Sequence, residues 1–276
     1  MSKAKSLSFQ IRSKSRIAVK LLGGYLFPRG RRLPDFLIIG TQKGGTSSLF
    51  KYLLQHPQVE GSLIKEVHFF TRRYWLGERG YRAFFPSPEG KPAALLGEAT
   101  PYYLFSPETP ERAASLVPGA RLVILLREPV SRAYSHYQHN VRKGYERRRF
   151  EEACEADLAL FEKSGSLRKD PDESELNYRR FSYVRRGIYE DQIRQWLDHF
   201  PKENIHIGRA EDLFSDTSGT VSRIGEFLGL DPFSFRTEEA YNRISYDRKS
   251  RDAFPGLAAF YEEPNRRLLE LTGISW

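Results

Sequence analysis

Lys43, lying between Gly40 and the Gly44-Gly45 pair and followed at once by Thr46, Ser47 and Ser48, is the best-placed cation in this chain for holding an anion. Glycines let backbone approach a ligand closely or take positive φ. Before the loop, Phe36 to Ile39 is an apolar run too short for a helix and rich in strand formers, so it reads as a strand buried on both faces. After it, Leu49, Phe50, Leu53 and Leu54 recur at helical spacing. A strand, a glycine loop and a helix N-terminus in that order bring unpaired N–H groups and the positive end of the helix dipole to one point. That is a phosphate cradle.

Gly40 and Gly45 have the spacing of a Walker A loop, G-x-x-x-x-G-K-[ST], but Thr46 stands where the lysine belongs and Lys43 sits inside the loop. The ammonium is therefore aimed at a different part of the ligand. No Asp nearby reads as the partner that would hold Mg²⁺, which argues against ATP hydrolysis. A P-loop kinase of a small molecule is the alternative enzyme reading. A glycine turn that merely lets a helix pack on a sheet is the plain structural one.

The stretch Gly40-Thr-Gln-Lys-Gly-Gly-Thr-Ser-Ser-Leu resembles the 5′-phosphosulfate loop of sulfotransferases that use 3′-phosphoadenylyl sulfate (PAPS). Leu122-Val-Ile-Leu-Leu-Arg-Glu-Pro-Val-Ser-Arg-Ala-Tyr-Ser-His-Tyr resembles the same family's 3′-phosphate motif. Two motifs in order, about 80 residues apart, are far more specific than one. With Lys65-Glu66-Val67-His68-Phe69-Phe70, the likeness is closest to glycan sulfotransferases of the heparan sulfate 3-O-sulfotransferase type, over roughly Asp35 to Trp276.

The resemblance implies a sulfuryl transfer from PAPS to a hydroxyl or amine of a carbohydrate, glycoconjugate or other small-molecule or lipid acceptor, releasing PAP and needing no metal. It makes Glu66 the general base and His68 a residue that orients acceptor and base. Lys43, with the backbone of Gly44, Gly45, Thr46, Ser47 and Ser48, would bind the phosphosulfate, and Arg127 and Ser135 the 3′-phosphate. Lys65, His68, Thr100 and Tyr102 would face the acceptor. Glu66 would need burial to reach a useful pKa. Taken without the motif, Glu66 reads as a surface salt bridge to Lys65, and His68 as the cap of an aromatic cluster. If the segment is extended, Glu66 and His68 share a face. Arg132, His136, His139 and Arg142 are exposed-face candidates with no specific assignment.

Two departures bear on the acceptor. Heparan sulfate 3-O-sulfotransferases carry Glu-Lys-Thr-Pro where this chain has Glu98-Ala-Thr-Pro, so Ala99 replaces an acceptor-binding cation. They also carry a Lys-Gly-Arg loop near the C-terminus, where this chain has Asp247-Arg-Lys-Ser-Arg251.

The elements that must position these residues alternate between strand and helix. Strands are expected at Phe36–Ile39, Leu95–Glu98, Leu122–Leu126 and Ile205–Ile207, and helices after Thr46, at Glu108–Val117, after Pro129, at Phe150–Glu162, around Tyr189–Leu197 and Val221–Leu228, and at Leu257–Leu271. This pattern predicts an α/β, P-loop-like three-layer fold with a central parallel sheet flanked by helices, which binds ligands at the carboxyl ends of its strands. The charged stretch from Tyr145 to Phe181 reads as a helix and then an exposed loop. Its cations, and those on to Arg186, either contact an anionic acceptor or form a solvated surface.

At 276 residues the chain suits one large domain, 35–276, preceded by a basic arm, 1–34. The net charge of +9 comes from that arm: it holds nine Lys or Arg and no acid, leaving 35 basic against 35 acidic residues in the rest. Whole-chain basicity therefore gives no ground for a nucleic-acid partner. The arm's longest uncharged run, Leu21 to Phe27, is too short to span a bilayer. It reads either as a peripheral membrane contact through residues 1–30 or as a helix packed back on the domain. The single cysteine, Cys154, excludes an intramolecular disulfide and a cysteine metal cluster, and suits a cytoplasmic, possible membrane-associated, setting.

Overall fold

The computed structural model describes residues 17–28, 30–87, 94–237 and 254–276. Five strands form one sheet: β1 (Phe36–Gly40), β2 (Val59–Gly61), β3 (Leu95–Ala99), β4 (Arg121–Leu126) and β5 (Ile205–Arg209), in the order β2-β3-β1-β4-β5. Every pairing is parallel, with Leu37 opposite both Glu98 and Leu122, and Leu122 opposite Ile205.

The central strands β1 and β4 are buried on both faces because they are apolar at consecutive positions. Successive side chains alternate between two cores. Leu37, Ile39, Leu122, Ile124 and Leu126 join the side chains of α3 (Gly77–Arg82), α4 (Thr109–Leu116) and α8 (Tyr189–Leu197), with Trp196 wholly enclosed. Phe36, Ile38, Val123 and Leu125 join α2 (Thr46–Leu53) and the helix Thr217–Leu228 on the other side. Each buried aliphatic or aromatic side chain contributes about 1.5–3 kcal/mol. Three layers result, as the alternation of elements predicted.

A third core, built from Val130, Ala133, Cys154, Tyr183, Leu257 and Tyr261, lies between α5 (Pro129–Arg142), α6 (Phe150–Ser164) and the long C-terminal helix Pro255–Thr272. The start of α5 is fixed by sequence: Pro129 occupies the first turn, and the Glu128 side chain accepts from the amides of Val130 (3.1 Å) and Ser131 (2.8 Å).

Three expectations are corrected. There is a fifth strand, β2, whose three residues Val-Glu-Gly are too few for a periodic signal. Arg132 and His136 are not exposed but buried, since α5 is enclosed by the third core. The stretch after α6 is not simply an exposed loop. It contains α7 (Glu175–Phe181), and Glu173 and Asp157 are buried against Arg185, whose guanidinium reaches Asp157 Oδ1 at 2.6 Å and Glu173 Oε1 at 2.8 Å. The cations of Asp247–Arg251 lie outside the described residues.

Candidate active site at the carboxyl edge of the sheet

The chain leaves β1 toward one side of the sheet to build β2 and β3, and later builds β4 and β5 on the other. The crevice beside the ends of β1 and β4 is thus the topological switch point, where open parallel sheets bind ligands. Two predicted anion-binding segments meet there. Arg127, just past β4, donates from Nη1 to the Lys43 carbonyl at 3.1 Å, and the Thr41 amide bonds the Leu125 carbonyl at 2.8 Å.

The β1 loop is shaped by close approach. A Cβ on Gly44 would sit 2.5 Å from the Leu125 carbonyl oxygen, and Gly45, with φ of 83°, starts α2 in the left-handed region where glycine is favoured. Lys43 takes φ of 74°, an uncommon state for a lysine. No side chain caps α2 and no acid lies in its first turn, so the amides around Thr46 and Ser47 and the helix dipole point at the loop without competition from a fixed negative charge.

Cations dominate this crevice. Burial, then the charges of Arg142, Arg127 and Arg132, lower the Lys43 pKa to about 8. Arg132 is fully buried, donates from Nη2 to the Tyr183 carbonyl, and has no partner for Nε or Nη1. Ser135 and His136 are buried on the same helix, and Nδ1 of His136 also has no partner. Burial, with the neighbouring charges of Arg186, Arg132, Lys43 and His139, pushes His136 well down, so it is neutral. Buried donors left unpaired are costly, and a glycine cradle, an uncapped helix and surplus guanidinium groups together fit a ligand carrying several negative charges.

Glu66 and His68 stand beside this pole. His68 Nε2 lies 3.1 Å from Glu66 Oε2, while Lys65 Nζ is 3.6 Å from Oε1. The pair meets by a route other than the one expected. The segment is not extended: His68 has φ of 52° and turns the chain into the helical turn Phe69–Arg73. Burial alone would raise the Glu66 carboxyl, but the hydrogen bond from His68 and the charge of Lys65 outweigh it and hold the pKa below the ordinary carboxylate range. Glu66 is therefore ionised at neutral pH, not raised as expected. Burial, then the charges of Lys43, Arg142 and Lys143, lower the His139 pKa, and Glu66 opposes them.

What fixes this segment is Glu98, a carboxylate with no exposed surface at the end of β3. Its Oε1 accepts from Tyr81 at 2.6 Å and Tyr103 at 3.0 Å, and its Oε2 from Thr100 at 2.6 Å. Burial pushes its pKa up, against those hydrogen bonds and one from the Val67 amide. Two of these hydroxyls reach on to the segment after Glu66: Tyr103 accepts the Phe69 amide at 2.7 Å and Thr100 accepts the His68 amide at 3.3 Å. Thr100 is fully enclosed, so it holds His68 and has no surface for an acceptor.

Tyr102 stands next to His68, their ring centres 6.3 Å apart. Its ring lies under the guanidinium groups of Arg186 (4.9 Å) and Arg179 (6.0 Å). Arg186 is buried, donates to Gln42 of the β1 loop and to the Arg179 carbonyl at 2.5 Å, and has no partner for Nε.

Sequence reasoning gave no role to Glu98, Tyr81, His139 or Gln42, and left Arg186 between an acceptor contact and a solvated surface. For Glu98 a signal existed, since an acid inside a doubly buried apolar strand demands partners. For Arg186 the sequence could not choose, because neighbouring arginines also read as a solvated face.

A family model described as "Sulfotransferase domain" matches residues 33–255. The human bifunctional heparan sulfate N-deacetylase/N-sulfotransferase 3 is 34% identical over 207 residues, covering 73% of this chain and 23% of that protein. Human heparan sulfate glucosamine 3-O-sulfotransferase 6 is 34% identical over 204 residues, covering 74% of this chain and 54% of that protein. The chain thus spans between about a quarter and a half of the length of these relatives. A crystallised sulfotransferase from Alicyclobacillus acidocaldarius superposes with a TM-score of 0.71 at 28% identity, over 89% of this chain and 98% of that one.

Proposed function

The chain belongs to the sulfotransferase domain family, and from that premise we propose that it transfers a sulfuryl group from PAPS to a hydroxyl or amine of a carbohydrate or glycoconjugate acceptor, releasing PAP. The observation that supports this most is the junction at the β1–β4 crevice. A lysine-bearing glycine loop is hydrogen-bonded there to Arg127, and from Gln42 of that loop Arg186 and Tyr102 lead on to His68.

In this reading the residues divide the work. Lys43, with the amides of Gly44, Gly45, Thr46, Ser47 and Ser48, holds the 5′-phosphosulfate and stabilises the charge that grows on the departing phosphate oxygen. Arg127 and Ser135 hold the 3′-phosphate. Glu66, ionised and oriented by His68, takes the acceptor proton as the new bond to sulfur forms and the bond from sulfur to the phosphate oxygen breaks. Lys65, His68 and Tyr102 face the acceptor, and Thr100 acts through His68.

A glycan acceptor is supported by the two human relatives, whose names specify heparan sulfate. A cytoplasmic setting, suited to a chain with one buried cysteine, and peripheral membrane contact through residues 1–30 belong to the same reading.

The test is incubation with labelled PAPS against a panel of glycans, glycolipids and phenols, with calorimetric titration of PAP. Turnover with a glycan and PAP binding preferred over Mg-ATP is the expected result. Preference for Mg-ATP would make the chain a kinase, and the absence of both turnover and PAP binding would end the proposal.

A further inference from the structure

Residues 17–26 form helix α1, which carries apolar side chains on two opposite faces. At 3.6 residues per turn, Leu21 and Gly24 lie on one face and Val19, Leu22 and Leu26 on the other. The first face is docked. Leu21 packs against the sheet core, and Gly24 is buried where a Cβ would come within 3.2 Å of the Ala83 Cα. Arg79 of α3 secures the C-terminal end, donating to the carbonyls of Tyr25 (2.6 Å) and Leu26 (2.9 Å), with its guanidinium 5.3 Å from the centre of the Tyr25 ring. A cation at that end also complements the helix dipole.

The second face is in water. Val19 is 70% exposed, Leu22 59%, Leu26 50% and Phe27 75%. Trp75, in the helical turn just upstream of Arg79, is 81% exposed. A docked surface helix ordinarily turns polar residues outward, and clustered exposed apolar side chains mark an interaction site. The surrounding charge narrows what can cover it. Residues 1–34 hold nine cations and no acid. A second copy of the chain would bring the same positive charge to the contact and be repelled, whereas an anionic lipid surface offers both an apolar layer and negative head groups.

We propose that the outer face of α1, with Trp75, is the surface by which this protein docks on anionic membranes. Leu22, Leu26 and Phe27 enter the boundary between head groups and acyl chains, and the exposed Lys20 of the same helix meets the lipid phosphates. This rests on the membrane-contact reading given above and assigns that contact to a helix fixed on the catalytic domain instead of to a loose basic tail. No helix among the described residues is long and apolar enough to cross a bilayer, so the contact lies in the membrane plane.

Co-sedimentation of the whole chain with phosphatidylglycerol–phosphatidylcholine vesicles and with pure phosphatidylcholine vesicles tests the assignment. The double variant Leu22→Ser/Phe27→Ser is compared with it; it leaves the charge unchanged and alters only exposed side chains. The expected result is binding to the anionic vesicles that falls about tenfold or more in the variant. Binding equal in both proteins would overturn the helix face while leaving a role for the basic arm. No binding of the parent chain to anionic vesicles would remove membrane contact altogether. Self-association in sedimentation velocity, abolished by the two serines, would make a second copy the occupant and overturn the proposal.

Discussion

Tyr81 donates its phenolic hydrogen to Glu98 over 2.6 Å, which ties α3 to the end of β3 beneath the segment that carries Glu66. The carboxylate is the hub for three hydroxyls, two of which accept the amides of His68 and Phe69. Glu98→Ala leaves those hydroxyls without an acceptor in a dry site. It should cost about 1–3 kcal/mol for each group left unpaired, seen as a lower urea midpoint, and should reduce kcat by loosening Glu66 and His68. Glu98→Gln keeps one acceptor oxygen and should recover most of the stability. Normal turnover in a stable Glu98→Ala protein would show that the hub does not position the base.

Glu66→Gln should keep PAP affinity, measured by calorimetry, while turnover falls by about 10²-fold or more, the usual scale for losing a general base. An equal loss of PAP affinity would mean that the carboxylate supports the fold of the site.

Arg127→Ala and Ser135→Ala should act the other way, weakening PAP. A hydrogen bond to a charged group is worth about 1.5–3 kcal/mol, so roughly a tenfold loss or more is expected for Arg127. Unchanged PAP binding in both variants would refute the 3′-phosphate assignment.

Lys43 gives the PAP complex a pH signature. Its pKa in the free protein is lowered to about 8 by burial and by Arg142, Arg127 and Arg132. An anion favours the charged form, so the pKa rises on binding. Affinity should therefore be full below pH 8 and decline as pH rises above it. Arginine does not titrate in this range, so Lys43→Arg should abolish that decline, whatever it does to absolute affinity. A parent protein whose PAP affinity is flat from pH 7 to about 9.5 would refute the role.

The buried triad of Asp157, Arg185 and Glu173 predicts a stability effect remote from the donor site. Arg185→Met leaves two enclosed carboxylates without their cation and should lower unfolding free energy by about 3–5 kcal/mol. It should also disturb Arg186, the next residue, and so raise the acceptor KM more than the PAPS KM. A urea midpoint within error of the parent would contradict the first expectation.

The sequence determined by itself what depends on neighbours along the chain. Apolar runs at Phe36 and Leu122 specified strands buried on both faces, shorter runs at Leu95 and Ile205 two more strands, and helical periodicity between them specified a parallel sheet. The glycine spacing around Lys43 specified a tight loop leading into a helix N-terminus. These signals are local because turn conformation, periodicity and helix-end electrostatics act within a few residues. Tertiary structure decided what depends on partners far apart in sequence. Whether Glu66 is raised or lowered was settled by the turn at His68, which brings an imidazole to its carboxylate. Whether Glu98 is a liability or a hub was settled by hydroxyls from Tyr81, Thr100 and Tyr103. Arg186 looks in sequence like any surface cation beside another. Only the packing of the Arg185 triad encloses it against Tyr102 and Gln42, because desolvation is a property of the fold and not of a residue.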